Sequence, residues 1–214
     1  AMIGLKALFH RRAASALMLG LMLSSFASFN LAAQDADPAT QRVSSLSDAL
    51  LDTMKQAKDL GIKGRYDKLS PVLAKTYDLP LMTRIAVGQN WAALTPEQQK
   101  AVVAAFTRMT TATYASRFDG FSGEQFIILQ TSDQKNGDKI VKTQIIQSNG
   151  KPVALSYLVR NTGSDWRIID VYLNGTISEL ANRRAEFGAV LKSGGADALV
   201  SSLNKQGDKL LAGS

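Results

Sequence analysis

The spacing of apolar residues changes near residue 120. Between residues 34 and 120 they recur at helical spacing, and between residues 121 and 175 they occupy alternate positions. The clearest helix start is TPEQ at residues 95–98, where a threonine N-cap, a proline at the first helical position and a glutamine three residues after the cap form a capping box. This start predicts one long helix that ends near Phe118, within a helical layer over residues 34–120.

Four runs of alternating residues predict four strands. The runs are Gln125–Thr131, Lys139–Gln147, Val153–Arg160 and Trp166–Leu173. Asn136-Gly137 is a strong hairpin signal, and Asn149-Gly150 and residues 161–164 supply the other two turns, so the strands form an antiparallel meander. One face of the sheet is expected to carry Val141, Thr143, Ile145, Val153, Leu155, Tyr157 and Val159. In the last strand, alternation places Asp170 on the same face as Trp166, Ile168 and Tyr172.

The end of the chain predicts two helices. Thr176 and Glu179 have the spacing of a second capping box, which opens a helix over Ile177–Lys192, and Gly194-Gly195 separates it from a last amphipathic segment. The predicted fold class is α+β: a curved four-stranded antiparallel sheet, similar to an NTF2-like cone, wrapped by N-terminal helices and by C-terminal helices over residues 176–214. A single domain is expected over residues 34–214.

Residues 1–33 have the pattern of a secretory signal peptide. Basic residues come first, an apolar run follows, and small residues precede a polar segment. Cleavage is expected after Ala33, with a cut after Ala27 or an uncleaved membrane anchor as alternatives. The sequence therefore predicts export to the periplasm of a Gram-negative bacterium.

The chain has no cysteine, and its single histidine, His10, lies within the predicted signal peptide. Disulfides, lipid attachment to a cysteine, histidine-dependent nucleophiles and nearly all zinc, copper and haem sites are therefore excluded from the exported domain. The oxygen-rich segment DQKNGD lacks the ligand spacing of a calcium loop and already serves as a hairpin turn. No cofactor and no metal are expected.

The charge also narrows the possible partners. The net charge is +7, and loss of residues 1–33 removes three of the 25 basic residues and none of the 18 acidic ones, which leaves +4. The remaining basic residues are scattered and form no block with aromatic residues, so nucleic acid is not an expected partner. A mild positive charge suits transient contact with an anionic membrane surface.

Asp170 is the most unusual acidic residue because it interrupts a largely apolar strand. Two interpretations stay open: a structural ion pair with Arg183 or Arg184, or a role in ligand contact or chemistry. The second interpretation gives an alternative function, a small acid–base enzyme that acts on a polycyclic lipid with Asp170 as the base. A protein–protein adaptor with a filled core is a third possibility. Glu186 is expected to pair with Arg183, three residues away on one helix.

A concave sheet with helices across its mouth often encloses a cavity. Parity and apolar character select the following residues as candidates for its lining: Phe106, Met109, Tyr114, Phe118, Phe126, Val141, Thr143, Ile145, Leu155, Tyr157, Val159, Ile168, Val171, Ile177 and Leu180. The alternative for each of these residues is ordinary core packing.

Three segments resemble a known family. FDGFSGEQF, WRIIDVYLNGTISELANRRAEF and GGADALVSSL are similar to sequences of the toluene-tolerance or MlaC-like family of periplasmic lipid-binding proteins. Two further segments, YDLPLMTRIAVGQNWAALTPEQ and TYASRFDGFSGEQF, most resemble its hopanoid-associated HpnM branch. The resemblance extends from about residue 47 to residue 203.

This resemblance implies a carrier and not an enzyme. Family members enclose lipid tails between sheet and helices and exchange the lipid with an inner-membrane ABC transporter and an outer-membrane complex. The branch implies a phospholipid or a hopanoid as cargo, and a monomer is expected. Moving an acyl chain of about sixteen carbons through water costs on the order of 13 kcal/mol at roughly 0.8 kcal/mol per methylene, so a carrier needs an apolar pocket.

Overall fold

A computed structural model describes residues 37–213, and the fold is built from helices around an antiparallel sheet. The helices are α1 (Pro38–Lys55), α2 (Ala57–Thr76), α3 (Leu79–Val87), α4 (Pro96–Arg117) and α5 (Glu179–Leu211), with a short 3-10 helix, Gly88–Ala93, after α3. The strands are β1 (Gln125–Asp133), β2 (Lys139–Ile146), β3 (Pro152–Asn161), β4 (Trp166–Leu173) and β5 (Ile177–Ser178). The predicted signal peptide lies outside the described residues, and the domain boundary at residue 34 stays a prediction.

Helix α4 begins at the predicted capping box. The Thr95 hydroxyl accepts a hydrogen bond from the Gln98 amide at 3.2 Å, and the Gln98 side chain accepts one from the Thr95 amide at 3.0 Å. These two bonds satisfy backbone donors that have no partner inside the helix. The helix ends at Arg117 with Phe118 as its C-cap, so the predicted span is confirmed.

The start of α5 differs from the prediction. Ser178, and not Thr176, is the N-cap, and its hydroxyl accepts a hydrogen bond from the Ala181 amide at 3.0 Å. Residues Ile177 and Ser178 remain extended because they pair with Leu173 and Tyr172 of β4. The helix is interrupted at Gly195, where φ is 69° and ψ is −165°, which agrees with the predicted break.

The sheet is an antiparallel meander in the order β1-β2-β3-β4-β5. The predicted α+β class and the antiparallel meander are confirmed, but the sheet has five strands in place of four because of the short β5. Cα partners include Val141 with Tyr157, Thr143 with Leu155, and Ile145 with Val153. Partners in a sheet project to the same side, so the predicted apolar residues of β2 and β3 do share one face, here called the inner face.

A β-bulge in β4 changes the parity of the strand. Leu158 pairs with Asp170 and the next residue of β3 pairs with Ile168, so Ile169 is the extra residue. One inserted residue reverses the alternation beyond it. Ile168 therefore projects to the inner face, whereas Asp170 and Tyr172 project to the opposite, outer face. The prediction that Asp170 shares a face with Ile168 was wrong.

Helix α1 packs across one end of the inner face. At this end the Thr40 hydroxyl lies 2.7 Å from the Thr131 hydroxyl, and Arg42 Nε donates to the Trp166 carbonyl at 2.7 Å. The core beneath α1 consists of fully buried apolar side chains from the helix and the sheet, among them Val43, Leu46, Leu50, Val141, Val159 and Ile168. The opposite end of the inner face is left for other elements to cover.

Candidate functional site

A cavity of about 330 Å³ lies between the uncovered end of the inner face and helix α4. The helix and its C-cap contribute seven lining residues, which are Phe106, Met109, Thr110, Thr113, Tyr114, Arg117 and the C-cap Phe118. Their spacing of three and four places them along one side of the helix. One continuous stripe of α4 therefore forms one wall.

The opposite wall comes mainly from the sheet. Its lining residues are Ile145 and Gln147 from β2 and the turn after it, Val153, Leu155 and Tyr157 from β3, and Val171 and Leu173 from β4. The lining is completed by Tyr77 from the link between α2 and α3, Met82 from α3, and Glu179 and Arg183 from α5. Residues far apart in the sequence thus enclose one largely apolar space.

The two ends of the cavity differ in exposure. Tyr77, Met82 and Tyr157 are almost fully buried, whereas Arg117 and Gln147 are exposed. We call the part of the wall near the exposed residues the mouth. An apolar interior with polar groups at its mouth is the arrangement expected for a ligand with a hydrocarbon part and a polar part.

The buried wall carries three tyrosines, Tyr77, Tyr114 and Tyr157, here called the tyrosine cluster. The hydroxyl groups of Tyr77 and Tyr114 are hydrogen-bonded to each other, and their ring centroids lie 6.0 Å apart. Burial raises the pKa of Tyr114 to about 12 and also raises the pKa values of Tyr77 and Tyr157, because the phenolate form would lose its hydration. All three side chains are therefore neutral at physiological pH.

The two arginines that line the cavity are unequally paired. Arg183 forms ion pairs with Glu179 at 2.9 Å and with Glu186 at 2.9 Å, and the second pair confirms the prediction made from their spacing. Within residues 37–213, Arg117 has no ion-pair or hydrogen-bond partner, although it lines the cavity. The mouth thus presents one unpaired positive charge.

The structure divides the predicted pocket residues into two groups. Those that lie on the cavity wall are Phe106, Met109, Tyr114, Phe118, Ile145, Leu155, Tyr157 and Val171. Those that lie elsewhere are Phe126, Val141, Thr143, Val159, Ile168, Ile177 and Leu180. Contact of the first group with a ligand stays a prediction.

The residues outside the cavity have ordinary structural surroundings. Phe126 packs against Phe118 with ring centroids 6.2 Å apart, and Thr143 donates a hydrogen bond to the Leu155 carbonyl at 3.1 Å. Leu180 is buried in the core, whereas Ile177 is 47% exposed on β5. Val141, Val159 and Ile168 share the inner face with the cavity residues but belong to the core that includes α1 side chains.

Asp170 connects the sheet to helix α5 through hydrogen bonds and not through an arginine. Its carboxylate accepts a bond from the Ser178 hydroxyl at 2.6 Å, one from the Leu180 amide at 3.1 Å and one from the Val171 amide at 2.8 Å. The Leu180 amide belongs to the first turn of α5, so Asp170 helps to cap that helix from the neighbouring strand. The predicted ion pair with Arg183 or Arg184 is therefore wrong.

The two adjacent arginines have different surroundings. Arg183 is half-buried and is paired with two glutamates. Arg184 is exposed and lies against Gly88, where a β-carbon would come within 3.0 Å of its Nε atom. Only Arg183 lines the cavity.

Nine lining residues were not predicted, and some had a signal in the sequence. Thr110, Thr113 and Arg117 continue the helical stripe of α4, and Val153 and Leu173 continue the alternation of β3 and β4. The charge of Arg117 excluded it from a list that was chosen mainly for apolar character. The contributions of Tyr77, Met82, Gln147 and Glu179 depend on how distant elements pack, and no local pattern indicates them.

Two further observations concern residues 37–213. None of the helices there is long and apolar enough to cross a membrane. No group of three or more carboxylates or other metal-ligating side chains is close enough together there to hold a metal ion.

Comparisons with known proteins agree with this architecture. No curated protein sequence matches the chain. A solved structure, the phospholipid-binding protein from Ralstonia solanacearum in complex with a phospholipid, is 25% identical and superposes with a TM-score of 0.72. The match covers 81% of this chain and 99% of that one. The family model for the MlaC protein matches residues 44–205, so the chain belongs to the MlaC family.

Proposed function

We propose that this protein is a lipid carrier that encloses the apolar part of a lipid in the cavity between α4 and the sheet. The observation that carries the proposal is the cavity itself, which is walled by apolar side chains and opens at a mouth with charged groups. Enclosure removes hydrocarbon from water, which lowers the free energy of a lipid in transit between membranes.

The cavity volume sets how much of a lipid is enclosed. Ligand sites commonly measure roughly 300–1,000 Å³, and this cavity of about 330 Å³ is at the small end of that range. At roughly 30 Å³ for a group the size of a water molecule, the cavity holds about eleven such groups. A methylene is of similar size, so the space suits most of one acyl chain.

The charges at the mouth suit an anionic headgroup. Arg117 is unpaired among the described residues and stands at the end of the stripe that lines the cavity. A guanidinium group binds phosphate oxygens through charge-assisted hydrogen bonds. In the proposed complex the hydrocarbon lies between the walls and the headgroup remains near Arg117.

The comparisons add support at the level of the family and of one structure. The chain belongs to the MlaC family, and the similar protein from Ralstonia solanacearum is a phospholipid-binding protein in complex with a phospholipid. We therefore propose a phospholipid as the first cargo to test and a hopanoid as the second. We also propose that the sheet and helices form an NTF2-like cone and that the chain belongs to the HpnM branch of its family.

The proposed place of action is the periplasm. The predicted signal peptide, residues 1–33, would export the chain, and the carrier would then act as a monomer. We propose an inner-membrane ABC transporter and an outer-membrane complex as partners, with transient contact to the membrane surface.

The alternative of an acid–base enzyme has no support from the geometry. Asp170, its proposed base, projects to the outer face and is not among the residues that line the cavity. Both carboxylate oxygens already accept hydrogen bonds from the backbone or from Ser178. An adaptor with a filled core does not fit a cavity of this volume.

A direct test is extraction of bound lipid. The protein is purified from its native host without detergent and extracted with organic solvent, and the extract is analysed by mass spectrometry. The expected result is about one lipid molecule per protein. An empty extract, followed by no uptake from phospholipid or hopanoid vesicles, would refute the carrier function.

A matched pair of variants tests the position of the cargo. Leu155→Trp places an indole ring on the cavity wall, and Leu129→Trp adds the same ring at a position that is 55% exposed on β1. We expect the first variant to retain less than a fifth of the wild-type lipid while the second retains all of it. Equal retention by two folded variants would exclude this cavity as the site.

A further inference from the structure

The tyrosine cluster places hydrogen-bonding groups on the buried wall of a largely apolar cavity. Tyr77, Tyr114 and Tyr157 all line it, and Tyr77 and Tyr157 are each 2% exposed. A hydrocarbon chain cannot form hydrogen bonds with these groups. Their presence on the buried wall therefore needs an explanation beyond hydrophobic enclosure.

Two O–H donors of the tyrosine cluster have no acceptor within residues 37–213. A phenol has one donor, so in the pair of Tyr77 and Tyr114 one hydroxyl donates to the other and the second donor remains unused. The Tyr157 hydroxyl has no hydrogen-bond partner in the part of the chain that the structure describes. No completely enclosed side-chain oxygen there lacks a partner, so the Tyr157 hydroxyl is open to the cavity.

The three tyrosines form one local group. The backbone of Tyr77 bridges to Ile168 of β4, and Tyr157 pairs with Val171 of the same strand. The Tyr77 and Tyr114 rings lie 6.0 Å apart, and Tyr157 lines the same cavity from β3. Neutral phenols in one place offer donors to an oxygen of the ligand at every physiological pH.

We propose that the tyrosine cluster selects a lipid with an acceptor oxygen on the part that the cavity encloses. The inference rests on the proposed carrier function and adds a specificity to it. The oxygen is either an ester carbonyl of a glycerolipid or a hydroxyl on a hydrocarbon skeleton, and both accept the same hydrogen bonds. A buried donor left without an acceptor raises the free energy of a complex by more than one hydrogen bond lowers it. A ligand that presents only hydrocarbon to the tyrosine cluster is therefore disfavoured.

Two pairs of probes distinguish the sources of the oxygen. The first pair is a diester phosphatidylglycerol and its diether analogue with the same chains, which lacks the carbonyl oxygens. The second pair is hexadecanol and hexadecane, each delivered from cyclodextrin. Delipidated full-length protein is incubated with each probe over a range of concentrations, and bound lipid is measured by mass spectrometry to obtain Kd.

Wild-type protein should bind the oxygen-bearing member of at least one pair about three to ten times more tightly, the contribution of one hydrogen bond. Tyr157→Phe should lower that ratio, because it removes one of the two unused donors and keeps the ring, and replacing all three tyrosines with phenylalanine should bring the ratio to near one. Tyr172→Phe is the matched control, since Tyr172 is half-buried on the outer face, and it should leave the ratio unchanged.

The outcomes separate this inference from the carrier function. If all four probes bind and the two members of each pair bind with equal affinity, the proposed role of the tyrosine cluster is overturned, because water then satisfies its donors. The carrier function remains intact in that case. An unchanged ratio in a folded variant with all three tyrosines replaced by phenylalanine would also overturn the proposed role. If no probe binds the wild-type protein, the proposed selection fails, and the carrier function fails with it when phospholipid and hopanoid vesicles also deliver no lipid.

Discussion

The hydrogen bonds of Asp170 allow a quantitative prediction about stability. Asp170→Ala removes the acceptor of two bonds that join β4 to the start of α5, one from the Ser178 hydroxyl at 2.6 Å and one from the Leu180 amide at 3.1 Å. Both donors would then lack this partner in a region where Asp170 and Leu180 are buried. The perturbation therefore affects the junction that positions α5 over the cavity.

The magnitude follows from the character of these bonds. A hydrogen bond to a charged group contributes about 1.5–3 kcal/mol, and the negative charge is further stabilised by the N-terminus of α5. Because Ser178 and Leu180 donate to the two oxygens of one carboxylate, the two losses are not additive, and about 3 kcal/mol is expected for the alanine variant. Asp170→Asn keeps an acceptor for Leu180 but loses the charge, so its expected loss is smaller, about 1–2 kcal/mol.

Urea unfolding followed by circular dichroism measures these free energies. For a chain of this length a loss of about 3 kcal/mol corresponds to a fall in Tm of about 6–12 °C. Asp119→Ala, in an exposed turn, is the control and should change stability by less than about 0.5 kcal/mol. A loss below about 1 kcal/mol for Asp170→Ala would refute the capping role. Full stability with lost lipid binding would instead place Asp170 in the binding site.

Three further predictions concern stability. Phe187→Ala should lower the free energy of unfolding by about 3–5 kcal/mol, because the ring is 1% exposed and packs edge-on against Phe106; a urea midpoint near wild type would contradict this. A hydrogen bond from Arg160 lowers the pKa of Asp138, so this pair stabilises the fold above about pH 4 and loses its effect as pH falls through the lowered pKa. Asp138→Asn should therefore flatten the acid-unfolding curve, and an unchanged curve would exclude the pair. Gly88→Ala should cost about 1–2 kcal/mol in thermal melts because φ is +66°, and an unchanged Tm would be inconsistent with that backbone.

Local signals determined most of the secondary structure. The capping box at Thr95 and Gln98 starts α4 where the sequence predicts, and the turn at Asn136-Gly137 joins the first two strands. Such signals act over two to four residues, so they are readable without knowledge of the fold. The same holds for the face shared by β2 and β3, because alternation is a property of a single strand.

Only part of the cavity lining could be predicted from local sequence patterns. The stripe of α4 and the inner-face positions near Leu155 could be predicted from periodicity. Periodicity does not indicate that α1 covers one end of the inner face. Because α1 packs there, Val141, Val159 and Ile168 are buried in the core and do not line the cavity. That outcome depends on where one helix crosses the sheet, and the packing of elements distant in sequence decides it.

A single inserted residue had the largest effect on interpretation. The bulge at Ile169 places Asp170 on the outer face, next to Ser178, and leaves the cavity without the acidic group that alternation predicted. A bulge is stabilised by pairing with the neighbouring strand, and so the sequence of β4 alone does not reveal it. The sequence by itself determined the elements and the absence of histidine and cysteine from residues 34–214. Only the tertiary structure decided which side chains face the cavity, because that depends on register and on contacts between distant parts of the chain.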